Sequence, residues 1–143
     1  MSSVYEIIVI QKTLPETLEA DARKLKDLIK SDPRPFEILE GRQIFHEAEG
    51  AEFFLTCKGC KRVFDGFEEP VGSLLDSFFL DKGEIFECPD CGVKENIRLC
   101  DTRGFAAGFL GLELCDSDPF TDEFVAKIAS GMNSKVTVVY GHL

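Results

Sequence analysis

The chain has 143 residues, 44% hydrophobic and 29% charged, and its 26 acidic and 16 basic residues give a formal charge of −10. This composition is typical of one folded globular domain and argues against disorder as the main state. The acidic excess disfavours non-specific attraction to nucleic acid or anionic lipid; it serves solubility and would favour a basic partner. No apolar stretch approaches the roughly 20 residues of a membrane span and no secretory signal is visible, so we expect a cytoplasmic protein without a membrane partner.

The first predicted elements are a strand and an amphipathic helix. Residues 4–10 alternate and are rich in Val and Ile, which predicts a strand. Apolar side chains then recur at steps of three and four from Leu14 to Ile29, so they share one helix face, with Thr13 as the predicted N-cap. The prolines that follow end this helix, and residues 36–46 are predicted to contain a short strand.

The second half of the chain repeats this order. Residues 104–114 predict a strand in which three leucines, at 110, 112 and 114, share a face. Asp118 and Pro119 suit the N-cap and first position of a second helix, whose apolar stripe runs from Phe124 to Met132. Residues 135–141 predict the last strand.

These elements predict an α+β fold with two β-α-β units separated by a segment that carries four of the six cysteines. We expect a mixed sheet with two helices packed on one face, in the ferredoxin-like manner. The chain is interpreted as a single domain, residues 1–143, with an inserted subdomain at residues 51–99 that projects from one edge of the sheet. We call residues 51–99 the cysteine segment.

Two Cys-x-x-Cys motifs stand out in the cysteine segment, Cys57 with Cys60 and Cys88 with Cys91. Two intervening residues let one tight turn present both sulfurs to one ion, and a structural zinc takes four ligands at tetrahedral corners. Gly59 and Gly92 lie where such turns need unusual dihedrals or a close backbone approach. In a reducing compartment, this pattern indicates one structural Zn²⁺ rather than disulfides.

Apolar residues flank each motif as they would in a hairpin, and the second motif reads Cys88-Pro89-Asp90-Cys91-Gly92. In these features the cysteine segment resembles the zinc-ribbon class, whose mark is two such knuckles. The gap between Cys60 and Cys88 is longer than the ~15–20 residues of a compact ribbon. A predicted helix fills it, with an apolar face that includes Phe78 and Phe79; core packing is favoured over presentation of these rings to a partner.

Three alternatives to zinc exist for the four cysteines. They could be reduced thiols without metal, a redox-active dithiol or the ligands of an iron–sulfur cluster. A redox-active thiol needs a helix N-terminus, which hairpins do not provide, and the spacing suits an iron–sulfur cluster poorly. Because protein thiolates would fill all four positions, the predicted metal has no open site for substrate and is structural.

Other residues give weaker indications of chemistry. Cys100 and Cys115 end apolar strands, as small buried thiols often do, and no local pattern makes either a nucleophile. Glu113 and Asp116 could bind Mg²⁺ and, with His142, form the site of a hydrolase or transferase. The acids around Asp118 are better explained as a helix start. No catalytic residue is assigned, and an enzyme is not favoured.

Charge decides between the two remaining kinds of partner. From Cys57 to Arg103 there are seven basic and ten acidic residues, whereas a nucleic-acid site needs a basic face. Lys58, Lys61 and Arg62 form only a small basic group on the first knuckle. The sequence thus favours a non-enzymatic interaction module with a basic protein partner, of which an inhibitor or immunity-type protein is the concrete version. A nucleic-acid or transcription-associated module is the alternative.

Overall fold

The computed structural model of the protein describes residues 4–46, 53–115 and 118–142. In these ranges the chain forms β1 (Val4–Ile10), α1 (Leu18–Ile29), β2 (Phe36–His46), β3 (Phe54–Thr56), β4 (Val63–Asp65), α2 (Val71–Phe79), β5 (Ile85–Glu87), β6 (Lys94–Asn96), a 3₁₀ turn (Ile97–Leu99), β7 (Asp101–Arg103), β8 (Phe105–Cys115), α3 (Asp122–Met132) and β9 (Val136–His142). The predicted α+β class is confirmed. None of the helices in the described ranges is long and apolar enough to span a membrane.

The main sheet has four strands in the order β2-β8-β1-β9. Every neighbouring pair in it is antiparallel, so the strands are not mixed in the way the sequence led us to expect. The two strands of each β-α-β unit do run in the same direction, but a strand from the other unit lies between them. This interleaving is the ferredoxin-like arrangement of two split β-α-β units.

Both long helices pack on one face of this sheet, as predicted. Alternate residues of β1 and β8 point to that face, among them Ile8, Ile10 and the three leucines at 110, 112 and 114. Ala22 and Leu25 from α1 meet them together with side chains from α3. The shared apolar layer therefore fixes the helices to the sheet and accounts for most of the core of this half.

The first helix begins later than predicted. Its N-cap is Thr17, whereas the hydroxyl of Thr13 donates to Asp21 at 2.8 Å. Pro15 and its neighbours instead form a turn, which the Thr17 hydroxyl closes by accepting the N–H of Leu14. The prediction placed the N-cap one turn too early, because Pro15 suits the first turn of a helix and also suits the non-helical turn that forms here.

The last helix also begins later, at Asp122 instead of Pro119, and Thr121 is its N-cap in place of Asp118. The Thr121 hydroxyl accepts the N–H of Phe124 at 3.1 Å. The displacement has a physical cause in β1: the buried carboxylate of Glu6 accepts the N–H of Phe120, so this N–H is engaged outside the helix, which begins two residues later. A contact across 114 residues of sequence could not be predicted from local capping preferences.

Strand β2 is longer than the short strand predicted for this part of the chain. The β2–β8 ladder bends over the face of the sheet opposite the helices. Its register shifts between Glu40 and Gln43, around Gly41, whose φ is +111°. Such a bulge bends a strand and increases its twist. The end of β2 therefore lies over the start of β1. There the Tyr5 hydroxyl donates to the backbone oxygen of His46 at 2.9 Å.

The end of β2 buries a second apolar layer. Phe45 packs against Ile7 and Val9, which are 5% and 0% exposed. It can do so because Gly111 leaves room beneath its ring. Phe45 thereby covers Ile7 and Val9 on the face of the sheet opposite the helices.

The cysteine segment packs onto the sheet instead of projecting from its edge as predicted. Its interior forms one apolar cluster with Phe105, Ala107 and Phe109 of β8. Leu18, at the start of α1, contacts this cluster and the helix layer alike. The two cores therefore adjoin at β8 and α1.

Two arginines strengthen this junction. Arg42 of β2 lies over the rings of Phe78 and Phe109, 4.8 Å from each centroid, and donates to the backbone oxygen of Phe78 at 3.1 Å. Arg98, only 8% exposed, donates to the backbone oxygen of Gln11 at 2.7 Å. Arg42 thus joins the cysteine segment to β2, and Arg98 joins it to the turn that follows β1.

We predict that Gly111→Ala destabilises the protein by about 1–3 kcal/mol, the usual cost of overpacking a core. A Cβ at Gly111 would lie 2.8 Å from Phe45 Cε1 and 3.0 Å from Ile7 Cγ2. Urea unfolding measures the change. Gly83→Ala is the matched control, since its Cβ would meet nothing closer than 3.9 Å. Equal unfolding midpoints for the two variants would show that Phe45 does not close over this face.

We predict a pH-dependent effect of Glu6→Gln. Burial raises the pKa of Glu6 above its ordinary 4.5, more than the Phe120 N–H lowers it. A carboxyl with a raised folded-state pKa favours folding below its unfolded pKa, and this contribution is lost as pH rises through the folded pKa. Because the glutamine side chain does not titrate, the free energy of unfolding should move in favour of the variant as pH rises from about 5 to about 8. Urea unfolding across that range tests this; a constant difference contradicts it.

Candidate metal centre

Two hairpins present the four predicted cysteines. The first knuckle, residues 57–62, joins β3 to β4, and the second, residues 88–93, joins β5 to β6. β7 adds to the first hairpin and makes a three-stranded sheet in the order β4-β3-β7. The predicted hairpin setting of both motifs is thus what the structure contains.

The two knuckles share one backbone design. In the first, the N–H of Cys57 donates to the oxygen of Arg62 at 2.9 Å, and the N–H of Lys61 donates back to the oxygen of Cys57 at 3.0 Å. In the second, Cys88 makes the matching pair with Val93 and Gly92, each at 2.9 Å. The same turn therefore orients both pairs of sulfurs.

Left-handed backbone is required at one position of each turn. Gly92 has φ +76° and Lys61, at the equivalent place, has φ +66°. Glycine adopts this conformation without steric cost, whereas lysine does not. Gly59 serves the other predicted purpose, a close approach: a Cβ there would lie 2.7 Å from Val93 Cγ2 and 3.0 Å from Cys91 Sγ.

The hairpins bring all four sulfurs together, with every Sγ within 4.8 Å of the others. Cys57 Sγ lies 3.5 Å from Cys91 Sγ, and Cys60 Sγ lies 3.7 Å from Cys88 Sγ. Four sulfurs at tetrahedral corners ~2.3 Å from one ion would be about 3.8 Å apart. The sulfur separations therefore match the size of a four-thiolate metal site.

Electrostatics at the cluster favour a bound cation. The backbone N–H groups of Cys60 and Gly59 point at Cys57 and lower the pKa of its thiol to about 6. The N–H of Arg62 lowers the pKa of Cys60, but removal from water and the neighbouring thiols outweigh it and raise that pKa to about 11. Thiolates this close repel one another, so all four ionise together only when a cation neutralises them.

The arrangement suits a metal held for structure. Cys57 and Cys88 are buried, and Cys60 and Cys91 lie at the surface. Their four sulfurs would fill all four positions around a tetrahedral ion. Neither motif lies at a helix N-terminus, where a redox-active thiol is usually activated. What the four residues can do chemically is bind an ion and lock two hairpins together.

Two of the three basic residues of the first knuckle, Lys58 and Arg62, are engaged within the protein. Arg62 pairs with Asp90 of the second knuckle at 2.7 Å and lies over the ring of Phe64, and Lys58 lies 3.9 Å from Glu95. Exposed pairs of this kind contribute little stability. The acidic partners do neutralise charge in the small basic group that the sequence suggested as a nucleic-acid contact.

The remaining sequence candidates do not assemble into a site within the described ranges. Burial raises the pKa of the Cys100 thiol, which donates to the backbone oxygen of Asn96 at 3.5 Å in the apolar core. Cys115 donates to Glu113 at 3.3 Å. Asp116 and the side chain of His142 lie outside the described residues.

The inserted helix is α2, and it divides the two phenylalanines that the sequence grouped together. Phe78 is fully buried against Phe109, in agreement with core packing, whereas Phe79 is 61% exposed. The anchoring arginines Arg42 and Arg98 were not identified from sequence. Their only signal was a basic residue within an apolar stretch, which does not specify a partner.

Comparison with protein-family models, with curated proteins and with solved structures gives no match for this chain.

We predict that Cys88→Ser abolishes metal binding. Wild-type protein prepared with Zn²⁺ should retain about one ion per chain by elemental analysis, and the variant should retain almost none. Because a bound metal would hold the hairpins together, the variant should also lose protection of β5 and β6 amides from hydrogen exchange. Cys115→Ser, away from the cluster, is the control. Equal metal content in both variants would remove Cys88 from the site.

Proposed function

We propose that the four cysteines bind a single structural Zn²⁺ and that the cysteine segment is a zinc ribbon with an inserted helix. The sulfur separations support a tetrahedral ion, and the four-thiolate set is one that zinc prefers. The backbone N–H of Gly59, 3.3 Å from Cys57 Sγ, supplies the kind of outer hydrogen bond that stabilises a bound thiolate. The ion is not catalytic in this proposal, since it has no open coordination position.

We further propose that the zinc ribbon is the interaction surface of a non-enzymatic binding protein. One observation carries this. Across the described ranges seven large apolar side chains are strongly exposed, and six of them lie in the cysteine segment: Val63, Phe67, Phe79, Leu80, Ile85 and Leu99. Single exposed apolar residues are ordinary, but six of them on one small unit support the proposal of a contact surface there.

The charge of the chain favours a basic protein as the partner. At −10 the protein attracts cations at long range and repels phosphate backbones. The pairing of Arg62 and Lys58 with acids of the second knuckle further weakens the case for nucleic acid. An inhibitor or immunity-type protein that masks a basic partner in the cytoplasm fits these features.

The test is recovery of a partner from the native host. We predict that affinity-tagged protein, purified at low ionic strength and analysed by mass spectrometry, retains a specific basic protein that dissociates as salt is raised. Phe79→Ser combined with Leu80→Ser should weaken this complex. Tyr140→Ser, which alters an exposed apolar residue outside the cysteine segment, should not.

Two results would contradict the proposed function. One is recovery of the protein only as a free chain at every salt concentration. The other is binding of single- or double-stranded oligonucleotides at low ionic strength, where phosphate contacts are strongest, with a steep loss as salt is added.

A further inference from the structure

A groove on the cysteine segment has the composition of a binding site for a cationic side chain. It has a volume of about 370 Å³ and lies between the start of β3, the loop after β4 and helix α2. Its lining residues are Phe53, Gly66, Phe67, Glu69, Gly72, Leu75 and Asp76. Apolar and acidic side chains therefore line it, and none of these residues is cationic.

The aromatic wall of the groove is held in place by its neighbours. Phe67 is 70% exposed, yet its ring stacks on Phe53 with centroids 4.8 Å apart. Phe53 in turn packs against Phe105 of the core, at 5.3 Å. An exposed ring on such a support presents a fixed face to solvent, and a preformed site loses less entropy on binding.

The loop that carries Phe67 is equally constrained. The Asp65 carboxylate accepts the N–H of Phe67 at 2.8 Å, and the N–H of Gly66 donates to the oxygen of Phe53 at 2.6 Å. A Cβ at Gly66 would lie 2.5 Å from Phe53 Cβ, so only glycine permits this approach. The shape of the groove is therefore determined by close backbone packing.

The protein contains the same combination, two phenylalanine rings and a carboxylate, around two of its own arginines. Arg34 lies 4.9 Å from the ring of Phe36 and 4.7 Å from that of Phe124, and it makes an ion pair with Asp32 at 2.7 Å.

Arg42 repeats the arrangement. It lies over two phenylalanine rings of the core, and it pairs with Asp81 at 3.0 Å. In both places two phenylalanines and a carboxylate enclose one guanidinium, which suits the flat, weakly hydrated head of arginine.

We propose that the groove formed by Phe53, Phe67 and Asp76 binds an arginine side chain from a basic protein partner. The two rings would contact the guanidinium and its methylene stem. The carboxylates of Asp76 and Glu69, which also line the groove, would balance its charge. A second copy of this chain is a poor occupant, since two chains of charge −10 repel each other. The inference rests on the proposed function and names the contact through which it operates.

The test is an NMR titration of ¹⁵N-labelled, zinc-loaded protein with the capped peptide acetyl-Gly-Leu-Arg-Leu-Gly-amide. We expect saturable shifts of the amides of Phe67, Gly72 and Asp76, with a peptide containing citrulline in place of arginine binding at least about threefold more weakly. Phe67→Leu keeps an apolar wall but removes the ring, and Asp76→Asn removes the charge; each should weaken binding by about twofold to fivefold. Tyr140→Leu and Asp27→Asn are the controls and should bind as the wild type does.

Equal affinity for the citrulline peptide, or no shifts in the groove up to about 10 mM peptide, would overturn the inference. So would a stronger response to a lysine peptide, which would point to a charge contact without the arginine geometry. A native partner complex that survives both Phe67→Leu and Asp76→Asn unchanged would refute this groove while leaving the proposed function standing. Failure to find any partner would refute the proposed function, and the peptide titration would still decide the groove.

Discussion

Four cysteine sulfurs within 4.8 Å of one another are the constraint on which this half of the structure depends. The strands that carry them have only three residues each, and isolated hairpins of that size are unstable in water. In the proposed zinc-bound form, a metal–thiolate centre joins the two hairpins at their tips, where Arg62 also pairs with Asp90 and Gly59 approaches Val93. It would add to the apolar cluster that the segment shares with β8, since a segment of this length forms only a small core by itself.

A second support comes from the main sheet. The bend of β2 at Gly41 turns the β2–β8 ladder over one face of the sheet, and β8 offers Phe105 and Phe109 to the cysteine segment. Arg42 closes the junction by lying across the rings of Phe78 and Phe109. The exposed side chains of the segment are consequently presented from an anchored unit and not from a loose appendage.

Much of the fold could be predicted from the sequence because its signals are local. The alternation of β1, the apolar stripes of α1 and α3, and the spacing of the cysteines each depend on residues close together in the chain. What could not be predicted depends on contacts between distant residues. The start of α3 depends on the contact between Glu6 and Phe120. The length of β2 depends on its bulge and on its pairing with β8, which lies far along the chain.

The candidate site divides in the same way. The ligand set and the turn at Gly92 follow from the motif itself, and the same turn makes Lys61 left-handed without a glycine to signal it. The pairing of Arg62 with Asp90 arises only when the knuckles face each other. The groove at Phe67 had no sequence signal beyond an isolated phenylalanine between acidic residues. Its character comes from Phe53 and Asp76, which the fold brings beside it.

The central claim is that one zinc ion held by four thiolates organises the cysteine segment. X-ray absorption spectroscopy at the zinc edge of protein purified with its native metal tests this most directly. We predict a single shell of four sulfur neighbours at ~2.3 Å, with no oxygen or nitrogen ligand and no nearby second metal. Absence of zinc from fully folded protein, or a spectrum with mixed oxygen and sulfur ligands or with iron at the site, would contradict the account.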